Sequence, residues 1–166
     1  MKARLLLLAV IVLAGCETTP SNLVPPTEPL AADKAYLAGV FFYQDYINPP
    51  YMQLRNQEKK WVTVTFVSGT STDVTVFVAE PGVYEVRSIQ KFEQRLMNVM
   101  RIPAQVSGNI TVEPGTVTYL GDYWIQKHQG LLGTSFRSRY DYNFERFKHA
   151  LQQKYTVPET MEIREP

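Results

Sequence analysis

Few side chains in this sequence are suited to metal binding or nucleophilic catalysis. The chain contains one cysteine, Cys16, and two histidines, His128 and His149. Neither histidine has a second His, Cys or Asp nearby at the spacing that metal ligands require. The sequence also lacks the Gly-x-Ser-x-Gly turn that exposes a nucleophilic serine. We therefore expect no metal ion, no cofactor and no enzymatic activity.

The residues before Cys16 form a more informative pattern. Lys2 and Arg4 precede an apolar run, Leu5 to Leu13, and small residues follow it. A basic start, a short apolar run and small residues before a cleavage site are typical of a secretory signal peptide. The run is shorter than the roughly 20 apolar residues that a membrane-spanning helix needs. The sequence therefore predicts export, with residues 1–15 as the signal peptide.

The segment Leu13-Ala14-Gly15-Cys16 is a lipobox, and this N-terminus resembles that of a bacterial lipoprotein precursor. The resemblance implies cleavage before Cys16 and a covalent lipid on its sulfur, which leaves no disulfide. Several acyl chains give a stable anchor, since each buried CH₂ contributes about 0.8 kcal/mol. Glu17 replaces the Asp that favours inner-membrane retention in Gram-negative lipoproteins. For a Gram-negative host the resemblance thus implies the outer membrane, at its periplasmic face or at the cell surface, and for a Gram-positive host it implies the single membrane.

Charge and length limit the kinds of partner. The 17 basic side chains include Lys2 and Arg4, so removal of residues 1–15 leaves 15 basic against 16 acidic side chains. A chain this close to neutrality has no overall field to attract nucleic acid. The remaining length suits one domain and a tether. We expect the membrane, through the acyl anchor, and a protein of the envelope as partners.

Composition divides the exported chain into a tether and a domain. Residues 16–33 are rich in proline and poor in apolar residues, which predicts an extended tether behind the lipidated cysteine. The globular domain is predicted to cover residues 34–166. Within it, Val62, Val64 and Phe66 alternate with polar residues, as expected for a strand with one buried face. Strands are predicted at 36–46, 51–55, 61–67, 74–79, 83–89, 105–112 and 116–127.

Turn residues suggest how these strands connect. Glu80-Pro81-Gly82 predicts a tight turn that joins 74–79 to 83–89 as a hairpin, and Glu113-Pro114-Gly115 repeats that turn chemistry. Residues 91–100 are interpreted as a loop with a helical turn. Residues 136–140 form either a short edge strand or a continuation of the loop before it.

The periodicity changes near residue 141. Phe144, Phe147, Leu151 and Tyr155 follow helical spacing, which predicts an amphipathic helix over about 141–155. Asp141 is the expected N-cap. Short strands followed by one helix indicate a mainly β protein, an antiparallel β-sandwich with one C-terminal amphipathic helix.

The turns at 78–84 and 111–121 resemble those of prealbumin-like or Ig-like sandwich domains in bacterial lipoproteins. The resemblance covers roughly residues 60–155 and implies the fold. Such families mostly have no assigned activity, so no catalytic residue is transferred to this chain.

Two segments are candidates for partner binding. Arginines alternate with aromatic residues from 136 to 146, a composition that is enriched in protein interfaces, and two leucines stand at the tip of a Gly-flanked loop. The alternative is that the aromatics and leucines belong to the core and the arginines are only solvated. The candidate residues are Arg137, Arg139, Tyr140, Arg146, Leu131 and Leu132.

The sequence therefore favours a lipid-anchored, non-catalytic β-sandwich that acts as a binding or assembly module in the cell envelope. The alternative is a domain that binds or hydrolyses a cell-wall sugar or peptide, since carboxylate pairs for such chemistry meet in space rather than in sequence. That alternative requires a concave pocket lined by Asp, Glu, His, Tyr or Arg. A purely structural envelope protein is a third reading, and the oligomeric state stays open.

Overall fold

The chain folds mainly as β-strands. The structure, a computed structural model, describes residues 22–45, 48–67, 73–93, 98–102, 108–130 and 133–166. Strands make up 58% and helix 9% of it. Two sheets and a helix close to the C-terminus confirm the predicted β-sandwich with one C-terminal helix.

The strands form two five-stranded sheets. Sheet A contains β1 (Ala35–Tyr43), β4 (Val74–Ala79), β8 (Thr116–Gly130), β9 (Gly133–Asp141) and β10 (Glu162–Arg164). Sheet B contains β2 (Tyr51–Asn56), β3 (Trp61–Thr65), β5 (Gly82–Glu93), β6 (Asn98–Ile102) and β7 (Asn109–Val112). The pairs of sheet B are antiparallel, as predicted. Sheet A is mixed, because β1 and β10 run parallel to β8.

The two Pro-Gly turns are corners between the sheets. Glu80-Pro81-Gly82 connects β4 of sheet A to β5 of sheet B, and Glu113-Pro114-Gly115 connects β7 of sheet B to β8 of sheet A. The predicted hairpin between 74–79 and 83–89 is therefore wrong. Pro and Gly allow the chain to reverse, but they do not determine whether the next strand joins the same sheet or the facing one.

Both corners lie at one end of the sandwich. Ala35, the first residue of β1, pairs with Ala79 before one corner and with Thr116 after the other. We call this the Pro-Gly end. At the opposite end β1 finishes at Tyr43, whereas β8 continues and turns into β9. We call that the hairpin end.

Strand β1 of sheet A is buried on both faces, which explains its nearly unbroken apolar sequence. Leu37 and Phe41 point between the sheets into the main core. Tyr36 and Val40 point to the other side, into a second cluster beneath the helix. A strand covered on both faces has no polar positions to alternate with. The helix is therefore a third layer on sheet A.

The helix α1 (Phe144–Lys154) begins later than predicted. Its N-cap is Asn143, whose side-chain oxygen accepts a hydrogen bond from the Arg146 N–H at 3.0 Å. Asp141, the expected cap, is the last residue of β9. The buried residues of α1, Phe147 and Leu151, confirm the predicted apolar face of the helix.

Part of the predicted tether packs on the sandwich. Leu23 forms an antiparallel bridge with Phe77 of β4. Val24 and Leu30 are buried in the second cluster, and the Leu30 N–H donates to the Thr156 carbonyl at 3.1 Å. The folded unit therefore includes Asn22 onward and does not begin near Lys34, as the proline content had suggested.

The region predicted as a loop with a helical turn, 91–100, is strand where the structure describes it. β5 continues through Glu93, and β6 returns from Asn98 to Ile102 and pairs with it. The apolar residues at helical spacing therefore did not indicate a helix. The helical spacing of these apolar residues is a local signal, and the pairing of β6 with the long strand β5 outweighs it.

Candidate protein-binding surface

Strands β8 and β9 form a hairpin that extends past the rest of sheet A. They remain paired as far as Gly130 with Gly133, whereas β1 pairs with β8 only as far as Ile125. All residues of 126–130 and 133–135 are exposed, although neighbouring residues of a strand point to opposite faces. Both faces of this segment therefore lie in solvent. We call 126–130 and 133–135 the arm.

The second strand of the hairpin is also an edge strand. Among the described residues, β9 pairs with β8 alone. It is nine residues long and contains no proline. An edge strand presents backbone N–H and C=O groups to which another strand can be added. The position left open between edge strand and loop for 136–140 is thus resolved as an edge strand, from Gly133 to Asp141.

A bulge in β8 controls which side chains this hairpin presents. Ala38 pairs with Tyr119 but Val40 pairs with Asp122, so the register shifts by one residue. Gly121 lies within the shift at a φ of +99°, a value that favours glycine. The extra residue of a bulge reverses the inward and outward alternation beyond it.

The consequence is that Asp122 joins Tyr119 on the helix side of sheet A. Without the bulge, Asp122 would share the face of Leu120, which points into the main core. Beyond the bulge the outward positions of β8 include Trp124 and Gln126. Through the pairing of the hairpin, Arg139 lies beside Trp124 and Arg137 beside Gln126 on that outer face.

Trp124 and Arg139 form a stacked pair at the base of the arm. The Arg139 guanidinium carbon lies 5.3 Å from the Trp124 ring centroid. Arg137 and Arg139 are exposed, and Phe42 of β1, which pairs with Trp124, is half-buried. Arginine and tryptophan are the residues that most often dominate binding energy at interfaces. We call Phe42, Trp124, Gln126, Arg137 and Arg139 the basic face.

The opposite face of the hairpin base is fixed to the core. Phe136 points inward, with its ring 6.4 Å from that of Tyr43. Lys91 is only 3% exposed, and its ammonium group donates to the Asn48 carbonyl at 2.7 Å. That ammonium lies 4.7 Å from the Tyr43 ring and 5.6 Å from the Phe136 ring. A desolvated cation over two aromatic faces ties the hairpin to the end of the sandwich.

Asp122 is the most buried acid of the described chain, with 1% of its surface exposed. One carboxylate oxygen accepts a hydrogen bond from the Tyr119 hydroxyl at 2.8 Å. The other oxygen accepts a charge-assisted hydrogen bond from Arg146 at the start of α1. Arg146 also lies 3.6 Å from Asp141. These contacts join the bulge, the helix and the end of β9.

The ionisation of this cluster follows from its burial. Desolvation raises the pKa of Asp122 above its usual value, although the Tyr119 hydroxyl, Arg146 and the Val40 N–H all oppose that shift. Burial likewise raises the pKa of Tyr119. The hydrogen bond to Asp122 raises the pKa of Arg146. Arg146 therefore serves mainly to compensate a carboxylate that the fold has removed from water.

A cleft of about 610 Å³ opens between α1 and sheet A beside this cluster. Its polar lining includes Asp73, Asp122, Arg146, His149 and Lys154. The cluster contacts already engage both carboxylate oxygens of Asp122, which leaves that group poorly placed to act as an acid, a base or a nucleophile. The cleft is thus a concave site of mixed charge in which the Asp122 carboxylate is already engaged.

The structure separates the candidate binding residues into different environments. Arg137 and Arg139 lie together on the basic face. Tyr140 packs inward, 4.9 Å from Tyr123, and Arg146 is engaged by Asp122. Leu131 and Leu132, and the proposed lipid site Cys16, lie outside the described residues.

Ser88 and Lys91 have the Ser-x-x-Lys spacing of some serine hydrolases. Both lie on β5 three positions apart, so they face opposite sides of the strand. Ser88 accepts a hydrogen bond from Gln90 at 2.7 Å, while Lys91 is buried beneath the hairpin. The pair therefore cannot act as nucleophile and base.

Within the described ranges, no group of three or more His, Cys, Asp or Glu side chains is placed to hold a metal ion. In the same residues no helix has the length and apolar character to cross a membrane.

Two residues whose placement depends on the bulge escaped prediction, namely Trp124 on the basic face and the buried Asp122. Both belong to a strand that the alternation pattern identified, but the face on which each lies depends on the bulge at Gly121. Glycine inside a strand pattern is the available signal, since it often marks a bulge.

Comparisons of the chain with protein-family models, with curated proteins and with solved structures find no match.

Proposed function

We propose that this chain is an exported protein anchored by a lipid on Cys16, most simply in the outer membrane. Its β-sandwich would act there as a non-catalytic binding or assembly module. The β8–β9 hairpin would be its binding element for a protein partner in the envelope. The observation that carries this proposal is the arm, whose two faces are both exposed beside the Trp124–Arg139 stack.

The chemistry of the hairpin indicates the kind of partner. Arg137 and Arg139 are exposed on one face, while Lys127 is paired with Asp45 at 3.3 Å. The basic face therefore carries net positive charge, because β9 contains no acidic residue before Asp141. The edge of β9 can accept an added antiparallel strand. A partner that offers an extended segment with acidic side chains would satisfy both features.

The partner is tested by affinity purification from membranes of cells that express the full-length protein. Arg137→Ala/Arg139→Ala is compared with Arg87→Ala/Lys148→Ala, a control that also removes two exposed positive charges. We expect a co-purifying protein to be lost at least tenfold with the first variant and retained with the control. Equal recovery with both variants would exclude the basic face as the binding surface.

The anchor is tested separately by metabolic labelling with a tagged fatty acid and by cell fractionation. Wild-type protein should carry the label and sediment with the outer membrane, and Cys16→Ala should lose both properties. Label on Cys16→Ala, or wild type in the soluble fraction, would contradict the anchor.

A second candidate function rests on the cleft beside α1, which meets the requirement for a pocket lined by charged groups. It would be a non-covalent site for a cell-wall sugar or peptide fragment, since Asp122 is already engaged. Cell-wall fragments that raise the unfolding temperature of wild type but not of His149→Ala/Lys154→Ala would favour it. If no fragment changes the unfolding temperature of wild type, this second function is excluded.

A further inference from the structure

We infer that a corner of sheet B at the Pro-Gly end rests on the bilayer to which Cys16 anchors the chain. We call this the Trp61 corner and define it as Arg55, Lys59, Lys60 and Trp61. The inference depends on the acyl anchor of the proposed function. It adds which surface of the sandwich meets the lipid and how the hairpin is oriented.

The path of the chain places the anchor near this corner. Asn22 lies at the Pro-Gly end, because its carbonyl accepts a hydrogen bond from the Val78 N–H at 2.8 Å. Its side chain donates to the Thr63 carbonyl of β3 at 2.9 Å. Asn22 follows Cys16 by six residues, and six residues span at most about 20 Å. The lipid attachment point therefore cannot lie far from β3.

Trp61 is the most exposed large apolar side chain of the described chain, at 51%. It lies two residues from Thr63 on the same outward face of β3, and a shallow cleft is lined by both Asn22 and Trp61. Tryptophan prefers the interface between lipid and water, where the ring contacts the acyl boundary and its N–H stays hydrated. An exposed Trp beside a lipid anchor therefore suits a bilayer surface.

The charges around Trp61 are suited to an anionic membrane. The Arg55 guanidinium carbon lies 5.2 Å from the Trp61 ring, and Lys59 is exposed in the preceding turn. Lys60 is shared between Glu80 at 2.6 Å and Glu58 at 3.4 Å. Glu85 lies opposite Arg55 across the β2–β5 pair but is itself paired with Arg87 at 3.0 Å. Arg55 and Lys59 therefore provide the cations of this corner, and anionic lipid headgroups attract such residues.

This placement also orients the proposed binding element. The Trp61 corner is at the Pro-Gly end, since Arg55 and Trp61 pair with each other and Asn56 pairs with Tyr84 near the start of β5. The arm is at the opposite end of β8, whose fifteen residues span roughly 45 Å at about 3.3 Å per residue. With the Trp61 corner on the bilayer, the arm points away from it.

The experiment uses full-length acylated protein in vesicles of phosphatidylethanolamine and phosphatidylglycerol that carry a spin label near the headgroup. The chain contains two tryptophans, Trp61 and Trp124. Trp124→Phe therefore reports on Trp61 alone, and Trp61→Phe on Trp124 alone. We expect vesicle-bound Trp124→Phe to show blue-shifted emission that the label quenches at least twofold, and Trp61→Phe to show neither effect.

The experiment distinguishes failure of this inference from failure of the acyl anchor. Protein that sediments with the vesicles but leaves Trp61 unquenched, or Trp124 quenched equally, overturns this inference and leaves the anchor intact. Protein that carries no acyl chain and does not sediment overturns the anchor and the inference together. Unfolding temperatures of both variants near that of wild type exclude a folding defect as the cause.

Discussion

The ring of Tyr140 occupies the space that a side chain on Gly121 would need. A Cβ built on Gly121 would fall 2.8 Å from both Cζ and the hydroxyl oxygen of that ring and closer still to Cε2. A Cβ on Gly39, across the bulge, would collide with the Gly121 carbonyl. The bulge, and with it the placement of Trp124 and Asp122 on the helix side of sheet A, therefore requires glycine at positions 39 and 121.

Gly121→Ala is expected to destabilise the protein more than Gly133→Ala. Both glycines have positive φ, +99° and +131°, so each substitution brings a backbone strain of about 1–3 kcal/mol. Gly121 has the Tyr140 ring in the way, whereas no described residue places an atom within 4 Å of a Cβ on Gly133. Urea unfolding measures the difference. Equal losses would show that the Tyr140 ring does not close on the bulge.

Arg146→Gln is expected to cost about 1–3 kcal/mol of unfolding free energy, because it leaves the buried Asp122 carboxylate with one strong partner fewer. Arg137→Gln, an exposed arginine of β9, should stay within about 0.5 kcal/mol of wild type. Asp122→Asn/Arg146→Gln should lose less than the sum of its single variants, since no buried charge is left behind. Strict additivity in this cycle would mean that the two side chains do not interact.

The raised pKa of Asp122 predicts a specific pH dependence. The folded state holds the proton of this carboxyl more tightly than the unfolded chain does, where the value is near 3.8. This contribution to stability is therefore present below pH 3.8 and is lost as pH rises through the folded pKa. The unfolding free energy of wild type should fall relative to that of Asp122→Asn as pH increases from 3.8 upward. Parallel curves would contradict the shift, and a gain with pH would reverse its sign.

Leu30→Ala is expected to cost about 2–5 kcal/mol, the range for truncating a buried leucine. Leu30 is 2% exposed beneath the helix, although it stands among prolines in a segment predicted as tether. Glu28→Ala, in the same segment but exposed, serves as the control and should change stability by less than about 0.5 kcal/mol. If both variants unfold like wild type, residues 22–33 do not belong to the folded unit.

Local patterns in the sequence identified the helix and the strand that each bury only one face. The spacing of Phe147 and Leu151 predicted the helix, and Val62 and Val64 predicted one strand with a single buried face. The N-cap was misplaced by two residues, because both Asp141 and Asn143 can accept a capping hydrogen bond. An element that buries one face shows a regular spacing of apolar residues in the sequence. The choice between two neighbouring cap residues leaves no such spacing.

The binding surface depends on relationships that no local pattern contains. Arg139 meets Trp124 only through the register of the β8–β9 hairpin, and Trp124 faces outward only because of the bulge at Gly121. The composition of 136–146 did indicate an arginine-rich interface, but Tyr140 and Arg146 serve the core and the buried carboxylate instead. Turn chemistry could not show that Pro81 and Pro114 lie at corners between sheets, since the partner sheet is chosen by contacts far away in sequence.

The most direct test of the central claim is photo-crosslinking in intact cells from single positions on the sandwich surface. A benzophenone amino acid is placed at Gln126 or Arg137 of the hairpin, or at Gln152 on the exposed side of α1 as the control. The account predicts that one envelope protein is captured from Gln126 and Arg137 in high yield and not from Gln152. Capture of that protein from Gln152 alone, or of nothing from the two hairpin positions, would contradict the assignment of the hairpin as the binding element.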